Sequence, residues 1–90
     1  MEKIVKIVYL TNRQTLISEI EEVGADVGEP DCRLINAQVV GEDLGLEPFL
    51  LGVTMQDTFM ISSDKILTLA DPTPTLLEKY LKLTLSLIHI

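Results

Sequence analysis

The chain has 90 residues, a net charge of −7, 47% hydrophobic residues, two Tyr, two Phe and no Trp. One domain of this size buries only about 60–65% of its unfolded surface, and a core poor in aromatics must be filled by Ile, Leu and Val, which favours β structure and a partner to share the apolar surface. The acidic balance counts against nonspecific attraction to phosphate backbones, and no Lys/Arg cluster offsets it. A single cysteine, Cys32, excludes an internal disulfide and fits a reducing compartment. No run reaches the ~18 apolar residues of a membrane helix, and Met1-Glu2-Lys3 does not open a signal peptide. A cytoplasmic protein is expected.

Residues 3–10, KIVKIVYL, read as a first strand, followed by the polar turn Thr11-Asn12-Arg13-Gln14. Residues 15–23, TLISEIEEV, fit a second strand. Leu16, Ile17, Ile20 and Val23 also have helical spacing, so a helix over 14–23 is the alternative. The short turn before it favours a hairpin. An acidic loop, GADVGEPD, covers 24–31, and CRLINAQVV (32–40) reads as a third strand. A second acidic loop, GEDLGLEP, covers 41–48. Residues 49–61 alternate Phe49, Leu51, Val53 and Met55 on one face, with Phe59 and Ile61 after Asp57. They read as one long strand bent at Gly52, or as two short strands with a turn at Gln56-Asp57.

Residues 59–72, FMISSDKILTLADP, form a strand, a tight polar turn (Ser62-Ser63-Asp64-Lys65) and a last strand, Ile66 to Leu69, stopped by Asp71-Pro72. Thr73 is placed to cap a helix with Pro74 at its first position. Leu77 and Leu81, with Tyr80 beside them, are its expected apolar face, and Glu78 and Lys82 an i,i+4 pair on its outside. Residues 83–90, LTLSLIHI, extend the helix or form a strand. They also resemble the run-on translated from sequencing adaptors.

The 59–72 stretch resembles the second motif of the Sm/LSm family, small barrels that assemble into RNA-binding rings: an apolar strand, Arg-Gly, an Asp or Asn, a polar residue, and a strand ending before a proline. Ile61, Asp64, Ile66, Leu67 and Leu69 match that pattern, and Ser62-Ser63 stand where Arg-Gly would be. The first motif matches loosely through Val5, Ile7, Tyr9 and Asn12. Its Asp–Met–Asn loop is not recognisable, and the family's usual N-terminal helix has no room here. The resemblance is nearest to short marine-phage relatives. It implies a mainly β fold: a small, strongly bent, five-stranded antiparallel Sm-like barrel over 1–72, a C-terminal helix over 73–84 and a tail over 85–90. It also implies a closed homo-oligomeric ring of about five to seven copies, held by Ile66, Leu67 and Leu69, that binds RNA or single-stranded DNA in a processing or chaperone role. The alternative keeps the ring as a protein-interaction module without nucleic acid.

The candidate nucleic-acid contacts are Arg33, Ser62, Ser63 and Lys65. For the Ser62–Lys65 turn the competing reading is an ordinary hairpin turn, and for Arg33 a surface ion pair with Asp31. Asn36 and Gln38 carry carboxamides that could read a base edge if they share one face of their strand. No enzyme is expected: the one His, His89, lies in the tail, Cys32 has no His near it in sequence, and no phosphate loop or metal-ligand spacing occurs. Cys32 fits a buried structural thiol. Asp26, Glu29, Asp31, Glu42, Asp43 and Glu47 fit a solvated acidic surface or, less simply, a cation site. No metal and no cofactor are expected.

Overall fold

The computed structural model describes the backbone of residues 4–88 and the side chains of residues 4–84. Six strands lie in one antiparallel sheet: β1 (Val5–Leu10), β2 (Thr15–Glu22), β3 (Cys32–Val40), β4 (Leu46–Pro48), β5 (Thr58–Ile61) and β6 (Ile66–Ala70). A helix, α1 (Pro74–Ile88), follows. The strand order is β4-β3-β2-β1-β6, with β5 also on β3. The helix alternative over 14–23 is thereby settled as a strand, paired through Leu16 and Ile17 to β1 and β3.

The β1–β2 turn closes as the sequence suggests. Asn12 Oδ1 accepts the Gln14 N–H at 3.0 Å, and Arg13 takes the left-handed conformation (φ 69) that the turn requires.

Alternation along the strands makes two apolar faces. On one, Val8, Leu10, Leu16, Leu34 and Ala37 are buried, with Phe49, Phe59, Ile61 and Ile66 packed against them. Ile61 and Ile66 come from strands at opposite edges, so the sheet rolls over this face. Phe49 and Phe59 meet there edge to face, with centroids 5.3 Å apart. The sheet is nevertheless not closed into a barrel: among the described residues β6 pairs only with β1, and β5 only with β3.

The fourth strand departs from expectation. Residues 49–55 do not form a strand; β4 lies earlier, within the expected acidic loop, and β5 begins only at Thr58. The cause is a bulge in β3. Glu19 pairs with Ile35 but Ile17 with Gln38, leaving an extra residue at Asn36, which takes φ 54. Beyond the bulge the outer edge of β3 changes direction, so β4 serves Gln38–Val40 and β5 serves Cys32–Ile35. The Asn36 N–H donates to Asp57 O at 2.9 Å, and the Phe49 N–H to Ala37 O at 3.0 Å, at the two ends of the intervening loop.

The second face carries α1. Leu76 and Tyr80 are buried against Ile17, with Val5, Ile7, Val40 and Leu46 around them. The expected face of Leu77 and Leu81 is therefore turned by one residue: Leu77 is half-buried and Leu81 is 42% exposed. The helix covers a face of the sheet. It starts as predicted, with the Leu76 N–H reaching Thr73 Oγ1 at 3.3 Å, and it carries the Glu78–Lys82 pair at 3.1 Å. Its backbone runs past 84 to Ile88. Whether the tail 85–90 packs lies outside the described side chains.

Tyr80 pins the helix to the bulge. Its hydroxyl donates toward Ile35 O (3.1 Å) and Asn36 O (3.0 Å) and accepts the Glu19 N–H (3.2 Å). Ser18 Oγ, also buried, donates to Glu19 O and Ile35 O. The backbone groups that the bulge takes out of the ladder are thus recovered by two side-chain hydroxyls. Burial pushes the Tyr80 phenol up to about 12. At the same bend the Gln38 side-chain Oε1 is buried without a donor among the described residues.

Candidate functional site

The sequence candidates gather at one end of the sheet. Cys32 and Arg33 open β3 and face Ile61 and Met60 of β5, and β5 runs into Ser62 and a single 3-10 turn, Ser63–Lys65. Arg33, Ser62 and Ser63 therefore belong to one neighbourhood, with Lys65 at its far side leading into β6. Ser62 is half-buried; Ser63 and Lys65 are exposed.

Carboxylates already hold two of these groups. Arg33 Nη1 lies 2.5 Å from Glu21 Oε1, so the ion pair expected with Asp31 is made with Glu21 instead. The reason is register: Glu21 stands directly opposite Arg33 on β2. Asp31 is used elsewhere. Its Oδ1 accepts the Ser63 N–H at 2.7 Å and its Oδ2 accepts the Ser63 hydroxyl at 2.8 Å. These bonds, the backbone one first, hold the Asp31 carboxyl below its ordinary value. They fasten the first acidic loop to the polar turn and leave a depression of about 340 Å³ lined by Asp26, Glu29, Asp31, Ser62, Ser63 and Asp64.

A folded pKa below the unfolded one contributes stability above the unfolded value that is lost as pH falls through the folded one. Ser63→Ala removes the hydroxyl bond and is expected to move the Asp31 titration, followed by carbon-detected NMR, back toward the usual carboxylate range. An unmoved midpoint would show that the side-chain bond does not hold the loop.

Asn36 and Gln38 do not present a shared base-reading edge. The bulge separates them: Asn36 is in the left-handed region and half-buried, and Gln38 is buried. Burial raises the Cys32 thiol, with Asp31 and Glu22 adding to the effect, so it stays protonated and unreactive near neutrality. Among the described residues no three His, Cys, Asp or Glu side chains come together as a metal-holding group, and no helix is long and apolar enough to cross a membrane.

Of the expected assembly residues, Ile66 packs into its own chain's core, whereas Leu67 and Leu69 are 59% and 49% exposed on the edge strand. Sequence reasoning missed two features. One is a groove of about 690 Å³ between β6 and the ends of β1, β2 and β3, with Ile4, Ile20, Cys32, Ile66, Leu67 and Leu69 in its lining. The other is the loop 49–57, where Leu50, Leu51, Val53 and Met55 are all exposed. The alternation of the loop residues made them look like strand. No charged residue lies between Glu47 and Asp57, the one signal in the sequence that sets this stretch apart.

A comparison with curated proteins found no match. Residues 3–85 match a family of unknown function, DUF6561. With nearly the whole folded region inside that match, the chain belongs to this family of unknown function.

Proposed function

We propose that the chain is the subunit of a closed, Sm-like homo-oligomeric ring, and that the ring binds RNA or single-stranded DNA weakly in a processing or chaperone role. The observation that carries the ring is the pair of free edges. β6 lies at one end of the strand order and β4 with β5 at the other, and both bear exposed apolar side chains, Leu67 and Leu69 on one and Met60 on the other. Such edges invite pairing, and two different edges meeting head to tail close into a ring when the rotation allows. The strand order also agrees with the resemblance of residues 59–72 to the Sm/LSm second motif. The nucleic-acid role is supported by the neighbourhood of Arg33, Ser62, Ser63 and Lys65, repeated by symmetry around a ring.

A second reading has a specific observation in its favour. Arg33 is paired to Glu21 and Ser63 to Asp31, so carboxylates compete with phosphate for two of the four contacts. On this reading the ring is a protein-assembly module. A gel shift with oligo-U, oligo-A and single-stranded DNA over a salt series separates the two. For the first, Lys65→Ala weakens binding more than Lys79→Ala, whose ammonium already donates to Leu44 O at 2.9 Å. Equal losses point to nonspecific charge attraction, and no shift at low salt favours the protein-assembly module.

A further inference from the structure

We infer that the apolar loop 49–57 of one copy seats in the groove beside β6 of the next, so that each subunit's groove is completed by its neighbour. The inference rests on the ring reading and goes beyond edge pairing, which needs only backbone groups.

The loop is built to present side chains outward. The Leu51 N–H bonds Pro48 O, and the Val53 and Thr54 N–H groups bond Leu50 O, so the segment is an ordered double turn. Leu50 (φ 62) and Gly52 (φ 83) supply the left-handed positions. For Leu50 that is an unusual conformation for a bulky side chain. Val53 and Met55 are 80% and 103% exposed, and no charged residue lies between Glu47 and Asp57. In a chain of net charge −7 such a stretch complements a mainly apolar surface.

The groove beside β6 is mainly apolar, with Lys6, Glu21 and Glu22 also in its lining. Ile4, Ile20, Ile66, Leu67 and Leu69 supply apolar lining, and its size falls in the range of about 300–1,000 Å³ that encloses a bound group. Of its three charged side chains, Lys6 pairs with Asp71 and Glu21 with Arg33 within the chain, and Glu22 is exposed.

Loop and groove belong to opposite edges of the sheet. The loop joins β4 to β5 on the outer side of β3, whereas β6 walls the groove at the far end of the strand order. The exposure of the loop shows that it does not fill the groove of its own chain. Head-to-tail contact between the β5 edge and the next copy's β6 brings them together, because the loop leads directly into β5 and β6 is itself the groove wall. The occupant is therefore a second copy of this chain.

Paired cysteines test this. On a Cys32→Ala background, Val53→Cys and Leu67→Cys together place thiols at two exposed positions, one on the loop and one at the groove. Mild oxidation is expected to give a ladder of covalent multimers on a non-reducing gel, ending at the ring's copy number. Each single-cysteine variant gives at most a dimer. Circular dichroism and light scattering on the same samples report folding and assembly, and Thr54→Cys replaces Val53→Cys if that variant does not fold. A ring by light scattering with no ladder overturns the seating and leaves the ring intact. A fast-migrating monomer with an internal disulfide also overturns it. A monomer by light scattering overturns both.

Discussion

Light scattering at micromolar concentration is expected to return about five to seven times the 10.0 kDa chain mass, and Leu67→Pro is expected to reduce it to the monomer. Among the described residues the edge strand β6 has one partner, β1, and an open outer side. Its exposed Leu67 and Leu69 give it no protecting charge; Lys65 only flanks it. Leu67 is a favourable position for the test because of register. Tyr9 pairs with Thr68 and Leu10 with Ile66, so Leu67 falls at the irregularity and has no partner in β1. Proline occurs at bulges and on edge strands, and here it removes a backbone donor from the strand expected to pair between copies. Circular dichroism of the variant should therefore stay native while the mass falls. A wild-type chain that scatters as a 10.0 kDa monomer would remove the ring and most of the Sm-like reading.

The second large effect is expected at Tyr80. Tyr80→Ala empties a fully buried aromatic site between α1 and the sheet and should cost about 3–5 kcal/mol, as other large-to-small aromatic changes do. Tyr80→Phe keeps the ring and removes only the hydroxyl. It should still cost about 1–3 kcal/mol, since the Glu19 N–H and the carbonyls of Ile35 and Asn36 lose that buried partner. In a domain of this size each kcal/mol lowers the midpoint of thermal unfolding by roughly 4–8 °C. A loss below about 0.5 kcal/mol, the scale of surface changes, would mean that water satisfies the bulge. There is a pH signature as well. A phenol at about 12 in the folded state and about 10 when unfolded contributes stability below pH ~10 that is lost as pH rises toward 12, because the unfolded chain ionises first. Tyr80→Phe should abolish that part of the alkaline transition while lowering stability at neutral pH.

Both effects depend on features that differ in how far they could be read from the chain. Strands β1, β2, β3 and β6 were legible because β-branched runs, short polar turns and the Asp71-Pro72 stop act locally. The start of α1 was legible for the same reason: Thr73 and Pro74 satisfy a helix N-terminus without reference to the rest of the fold. The polar turn at Ser62 to Lys65 was legible as a turn. Its electrostatic partners were not. Arg33 finds Glu21 through strand register, and Ser63 finds Asp31 across a separation of 32 residues.

The remainder was decided by one long-range feature, the bulge at Asn36. It redirects the outer edge of β3, places β4 before the expected fourth strand, leaves only Thr58–Ile61 of that strand as β5, and turns residues 49–55 from an apparent strand into an exposed loop. It also frees backbone groups that draw in the Tyr80 hydroxyl, which turns the helix so that Leu76 and Tyr80, rather than Leu77 and Leu81, face the sheet. The sequence by itself determined the local elements, the absence of charge in residues 48–56 and the acidity of the two loops. Only the tertiary structure decided which edges stay open and which side chains the acids hold, because both follow from register and from the bend, where residues distant in the chain compete for the same backbone groups.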